Sequence, residues 1–375
     1  MITSSNHVSR TSSRVWAGAL LMGLISTACD SGDGSIPGSF GADPNSGSST
    51  DTEVNALCGG EVVPSGDDDG YYSTYEGDTA FIVDDWSVAQ VDLRTGDRQP
   101  MFTIDNHDDG LINAYVVDDK DFYAVTDFEL YRYNRATEQL SLVSRAPDSP
   151  VATTFLGITT FAHHLALSST QVLTIPYDTE GTPSGGAQFR RYLGLFDRAT
   201  NALQLTPLEG GQFLDFLGDK YYFEDSRVEM LSPGVTRSHP QVSTYDLETN
   251  TTTLLATDIT GDLVLGDTLY FTTSNGTDAE FTLSRVSASG GVPEVLDTSL
   301  RRPGLVGHGT KLYVELIDPD AFSSSVLTEL DVVSGERRTL GSCFAAFAHA
   351  SDTAVYIFPR ATSDVSTPRL LRIPL

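Results

Sequence analysis

Cysteine, positive charge and long apolar runs are all scarce in this chain, and each scarcity excludes something. Three cysteines occur among 375 residues, Cys29, Cys58 and Cys343, too few for a disulfide-built scaffold or a cysteine-rich metal site. Lysine and arginine total 23 against 51 aspartates and glutamates, a net charge of −28. A surface of that sign repels phosphate backbones, so nucleic acid is excluded as a partner. One apolar run stands out, "VWAGALLMGLI" at 15–25. As a helix it reaches roughly 16 Å at about 1.5 Å per residue, short of a hydrocarbon core of about 30 Å. No G-x-S-x-G elbow, H-E-x-x-H helix or phosphate loop is present, and no stretch longer than a few residues has helical periodicity.

What is present begins with an address. The first 28 residues hold Arg10 and Arg14, no acid, the apolar run and a small-residue ending, which is the layout of a signal peptide. The following "STAC", residues 26–29, resembles the lipobox of bacterial lipoproteins, with Ser26 where Leu, Val or Ile is usual. That resemblance implies a signal over 1–28, lipid on Cys29, and anchorage to a membrane of the bacterial envelope, facing the periplasm or the cell surface. The alternative is an ordinary secretory signal cut near Ala28, leaving Cys29 a free thiol. Residues 29–52 are almost entirely Ser, Gly, Asp, Pro and Asn, too poor in apolar surface to offset the entropy of ordering. They read as a flexible tether ahead of a domain at 53–375.

The domain repeats itself. Short apolar strands return as "TAFIV" at 79, "DFYAV" at 121, "HLALS" at 164, "KYYFE" at 220, "TLYFT" at 268, "KLYVE" at 311 and "AVYIF" at 354. A strand running into a turn follows each, as in "VDLRTG" at 91, "FDRATN" at 196 and "LDVVSG" at 330. From Asp92 through Asn134, Asp197, Asp246, Val286 and Asp331 to Ile373 the steps are 42, 63, 49, 40, 45 and 42 residues, the period of a four-stranded propeller blade. The expectation is an all-β chain, a seven-bladed propeller of four-stranded antiparallel blades. The last unit shows only three strands, so its outermost strand is expected from the N-terminal side, within 53–63, closing the ring and covering a sheet edge. This grammar resembles the TolB-like and YncE-like bacterial propellers over 53–375. It carries no functional residues across.

With Cys29 lipidated, Cys58 and Cys343 remain as an even pair in an oxidising compartment. Cys58 lies in the expected closing segment and Cys343 where the last unit begins. A disulfide between them would clasp the ring, worth on the order of 5 kcal/mol for so large a loop. Geometry favours a closing strand at 53–58 over one at 60–63 for that bridge. Two separate buried thiols are the alternative.

Propeller connections alternate between two faces, and the long insertions fall on one: 170–192, 225–241 and "LIDPDAFSSS" at 316–325. Lengthened connections on a rigid scaffold are where binding resides. Charges on that face are sorted. Asp67, Asp68, Asp69, Asp84, Asp85, Asp105, Asp108, Asp109 and Asp127 fall in the first two units, and Arg190, Arg191, Arg227, Arg237 and His239 in the next two. Asp67, Asp69, Asp105 and Asp109 are the Ca²⁺ candidates, since a hard cation takes six to eight oxygens. In "SGDDDGYYSTYE", Asp67, Asp69, Gly70 and Glu76 occupy positions 3, 5, 6 and 12 of an EF-hand-like count, although Ser65 replaces the first acid. Solvated turn residues, or a docking patch for a basic partner, are the competing readings. His163, His308 and His349 fall at first-hairpin turns, and His107 and His239 on the insertion face. No nucleophile or metal motif joins them.

The expectation is a monomeric, lipid-anchored envelope module without a cofactor, Ca²⁺ being the one candidate, that binds a protein, peptide or glycan. An envelope hydrolase or lyase, its site at the central channel assembled from distant units, is the second reading. A Ca²⁺-dependent adhesion module is the third.

Overall fold

The computed structural model describes residues 58–375 outside 64–73, 106–110, 127–128, 146–159, 169, 182–186, 209–211, 218–219, 233–234, 247–248, 250, 276–279, 319–324, 343–344 and 360–369. Among the described residues all regular structure is β-strand, in antiparallel sheets set radially as a propeller. The first sheet holds β2 Thr74–Glu76, β3 Thr79–Asp84, β4 Ser87–Asp92 and β5 Arg98–Thr103, each paired with the next. The second repeats that order with β6 Ala114–Val117, β7 Asp121–Val125, β8 Glu129–Asn134 and β9 Gln139–Arg145. The third holds β10 Thr160–Leu167, β11 Gln171–Gly181, β12 Ala187–Asp197 and β13 Ala202–Leu208. The fourth holds β14 Gln212–Leu217, β15 Lys220–Ser232, β16 Val235–Asp246 and β17 Thr251–Thr257.

An eight-stranded sheet follows. Its first half is β18 Ile259–Leu265, β19 Thr268–Ser274, β20 Phe281–Ser287 and β21 Glu294–Leu300. The second is β22 Val306–His308, β23 Lys311–Ile317, β24 Ser325–Asp331 and β25 Arg337–Gly341. The expected seven separate sheets are therefore not what the hydrogen bonding delivers: among the described residues five sheets have four strands and one has eight. The halves merge because β21 bends onto β23, where they share one register pair, Leu300↔Leu316, and a bond from Arg301 N–H to Glu315 C=O at 2.8 Å.

The final sheet is β26 Ala345–Ala350, β27 Ala354–Pro359 and β28 Leu371–Pro374, completed by β1 Glu61–Val62 from the other end of the domain. Glu61 pairs with Arg372 and Val62 with Leu371, and Val63 N–H donates to Leu370 C=O at 2.9 Å. The closing strand thus sits at the C-terminal end of the expected 53–63 window. Cys58 lies three residues before it, fully buried. A Cβ on Gly341 would come within 2.6 Å of the Cys58 carbonyl oxygen, so only glycine admits that approach. Cys343, Cys29, the signal and the tether lie outside the described residues.

The recurring apolar strand is the second strand of each unit, and its aromatic position fills the joints between sheets. Phe81, Tyr123, Tyr222, Tyr313 and Tyr356 hold that position in β3, β7, β15, β23 and β27, and all are among the largest fully buried side chains. Phe81 meets Phe122 across the first joint at 5.6 Å, and Tyr123 meets Phe196 across the second at 6.3 Å. Removing such a ring from water contributes about 1.5–3 kcal/mol. The preceding turn sets the register: Gly266, at φ 63°, makes the two-residue loop between Leu265 and Thr268.

Two classes of turn are bonded together and define one face. Leu93 N–H donates to Asp78 C=O, Arg135 to Lys120, Arg198 to Thr170, Ala288 to Asp267, Val332 to Thr310 and Leu375 to Thr353, at 2.8 to 3.0 Å. Each bond ties the turn after a third strand to the turn after a first strand. The opposite face carries the connections between second and third strands, with those between sheets. There Ile112 N–H, ahead of β6, donates to Asp85 C=O in the β3–β4 turn at 2.9 Å.

Candidate functional site

The insertion face is built differently from the open loops expected. Residues 170–192 and 225–241 are mostly strand, because β11 and β12, then β15 and β16, pair on past their sheets. In the third sheet β10 follows β11 only to Tyr177 and β13 follows β12 only to Arg191. Beyond them Asp178↔Arg190, Thr179↔Phe189 and Glu180↔Gln188 continue as a free two-stranded ribbon. In the fourth sheet β14 stops at Glu224 and β17 at Gln241, while Arg227↔His239, Glu229↔Arg237 and Ser232↔Val235 continue.

In the second ribbon Asp225 pairs with Gln241, Arg227 with His239 and Glu229 with Arg237. Met230, in the same ribbon, is 75% exposed. Arg190, Arg227 and Arg237 therefore stand in these two ribbons, with Arg191 at the base of the first. His239 is a strand residue, not a loop residue. Its Nδ1 lies 2.5 Å from Asp258 Oδ1, in the one-residue link between β17 and β18, where Asp258 takes φ 57°.

The acidic side is only partly described. Asp84 and Asp85 make the exposed β3–β4 turn, Asp85 at φ 43°, and Asp105 is exposed just beyond β5. Nothing among the described residues brings these three to the ribbons. Asp67, Asp68, Asp69, Asp108, Asp109, Asp127 and His107 lie outside the described residues. Glu76, last in the EF-hand-like count, pairs with Arg135 of the second sheet, and the earlier positions of that count lie outside the described residues. Among the described residues no group of three or more metal-ligating side chains occurs.

A buried polar constellation lies on the turn face, and sequence reasoning passed over it. Arg198, from "FDRATN", reaches back to Asp118 and Asp121 of the second sheet, both at 2.8 Å. Arg132 completes Asp121 at 2.9 Å, and the Arg198 guanidinium lies over the Tyr123 ring at 5.5 Å. Burial works to raise Asp118 and Asp121, but backbone N–H groups of Lys120 and Asp121 for the first, and the arginines for both, outweigh it and hold them below the ordinary range. The signal was available: Arg135 and Arg198 follow Asn134 and Asp197 at equivalent places in successive repeats. Two shallow clefts, of about 440 Å³ beside Gln90, Tyr133 and Arg135 and about 300 Å³ beside Arg285 and Glu294, include none of the expected site residues.

No protein-family model matches this sequence, and no curated protein matches it. Among solved structures, an oligogalacturonate lyase in complex with manganese is similar at a TM-score of 0.51 and 12% identity, covering 80% of this chain and 86% of that one. An oligogalacturonate lyase from Vibrio parahaemolyticus gives 0.47 and 10%, over 76% and 82%. TolB from Acinetobacter baumannii gives 0.39 and 14%, over 78% and 67%. At such identity the first likeness speaks to the fold alone.

Proposed function

We propose that this protein is a binding module of the bacterial envelope, a seven-bladed ring that holds a protein, peptide or glycan on the face carrying the two ribbons. The observation that supports this most is the continuation of β11–β12 and β15–β16 past their sheets with charged residues in cross-strand register, on a closed scaffold that holds them in place. The sevenfold count takes the eight-stranded sheet as two blades sharing the single pair Leu300↔Leu316. The chain is a monomer tethered by lipid on Cys29 through residues 29–52, and Cys58 bonds to Cys343. The approach of Cys58 to Gly341, two residues before Cys343, supports that bridge.

A pull-down from envelope extract tests the binding reading. A variant whose β15–β16 ribbon is cut back to a two-residue turn after Glu224 is expected to lose partners that the full chain retains; identical captures from both sink the proposal. A chelator arm reads Ca²⁺ dependence. Replacing Cys29 by Ala is expected to release the protein from membranes, and persistent membrane association refutes the anchor. Mass mapping without reductant is expected to recover a peptide linking Cys58 and Cys343, against which stands alkylation of both.

One observation favours the second reading, an envelope hydrolase or lyase. His239 and Asp258 form a histidine–carboxylate pair on the ribbon face, the arrangement that orients a general base. If it acts on a polysaccharide, His239→Asn removes turnover while sparing the fold; unchanged turnover removes His239 from the chemistry.

A further inference from the structure

The joint between the final sheet and the first, where the ring closes, is held by groups found together at no other joint among the described residues. His349, on β26, is 2% exposed. Its Nε2–H donates to Gly77 C=O at 3.0 Å, across to the β2–β3 turn. Its ring stacks on Tyr75 of β2, centroids 5.2 Å apart and planes 8° apart, and also meets Tyr356 of β27, centroids 6.2 Å apart. Its Nδ1 meets no hydrogen-bond partner among the described residues. Beside it Asp78 accepts from Thr353 Oγ1 at 2.7 Å, Ser351 Oγ at 2.7 Å and Tyr356 O–H at 2.9 Å.

From this geometry we infer that the joint is an acid-sensitive latch: protonation of His349 opens the ring between β26–β27 and β2–β3 while β1 stays paired with β28. A proton on Nδ1 would place a charge in a slot walled by two tyrosine rings, with no acceptor for the new N–H among the described residues.

The groups facing His349 are Asp78 from the β2–β3 turn, Tyr75 from β2, Tyr356 from β27, and His308 from β22. His308 is itself bonded to Asp352 at 2.8 Å. Arg372 of β28 and Arg94 stand further off, on Asp78. Burial dominates and pushes His349 from 6.5 down to about 4; the bond to Gly77 C=O and the Asp78 charge favour a proton, and His308 opposes it. Asp78 does not titrate in the same range. Burial works to raise it, its hydroxyl donors and Arg372 outweigh that, and it stands below the ordinary carboxylate.

The sign follows from linkage. A base whose folded value is depressed binds more protons in the open form, so the joint is firm above about pH 6.5 and weakens as pH falls toward 4. The opening constant rises roughly twentyfold between pH 7 and pH 5, its slope approaching but not reaching about tenfold per pH unit in the middle of that window.

Hydrogen exchange of the full chain at both pH values, corrected for intrinsic rates, tests it. The expected result is a roughly twentyfold gain in opening confined to residues 74–81 and 345–356, with β7, β19 and β23 unchanged, and its loss in His349→Gln, which keeps a donor for Gly77 but cannot titrate. Acid opening spread evenly over all joints, or retained in His349→Gln, overturns the proposal. Should that variant fail to fold, NMR titration of His349 in the natural protein decides: a midpoint well below 6.5 upholds the latch and one at or above 6.5 refutes it.

Discussion

Single side chains at the joints bond neighbouring sheets to one another. Arg198 is the strongest case, its side chain 10% exposed and bonded to carboxylates that are 3% and 1% exposed. Arg198→Met leaves Asp118 and Asp121 partly unpaired in a buried place and is expected to destabilise by about 3–5 kcal/mol, read by urea unfolding. Arg94→Ala, which removes an exposed pair with Asp92, is expected to be neutral; equal losses would show that burial does not set the hierarchy. The acid behaviour of the second joint has the usual carboxylate sign. With Asp118 and Asp121 held below 3.8, their contribution is present above that value and disappears as pH falls through the lowered folded values. Carboxylate NMR is expected to show both returning toward 3.8 in Arg198→Met. The role of Arg198 was not legible from one repeat, because its partners Asp118 and Asp121 lie in the preceding one.

At the scale of elements, strands and turns were legible because local chemistry fixes them. "GDTLYF" supplies a positive-φ turn residue and then an apolar run buried on both faces of its strand, and β18–β19 follow from it. Asp92, Asp197 and Asp331 each accept main-chain N–H groups of their own turn, such as Ala199 and Thr200 on Asp197 at 3.0 and 2.7 Å, so the second landmark of the repeat is an aspartate-stabilised turn. The insertions were misread as loops because Pro, Gly and charge in 170–192 and 225–241 are turn-like in composition, whereas pairing continues wherever the neighbouring strand lies in register. Close approaches were likewise invisible. A Cβ on Gly261 would fall 2.2 Å from the Pro303 carbonyl oxygen, a backbone neighbour 42 residues away by numbering. Gly261→Ala is expected to destabilise by about 1–3 kcal/mol through overpacking, whereas Gly304→Ala, which meets nothing within 4 Å, is expected to change little in the same urea titration.

For the molecule as a whole, closure is the decisive feature. The last sheet is completed by Glu61–Val62, so the two ends of the domain are bonded to one another. Deleting residues 58–63 is expected to expose β28 and lower the melting temperature by several degrees, with concentration-dependent association in sedimentation; an unchanged melting curve would show the ring to be held by the side-chain joints alone. By itself the sequence determined the all-β class, the four-strand repeat and the borrowed closing strand, since periodicity, turn residues and a unit short of one strand are local or countable properties. Tertiary structure alone decided that two units share one sheet, that the insertions stand up as paired ribbons, that His239 meets Asp258, and that Arg198 and His349 lock neighbouring sheets. Each of those depends on which surfaces meet across a joint, and a repeat carries no record of its neighbour's side chains.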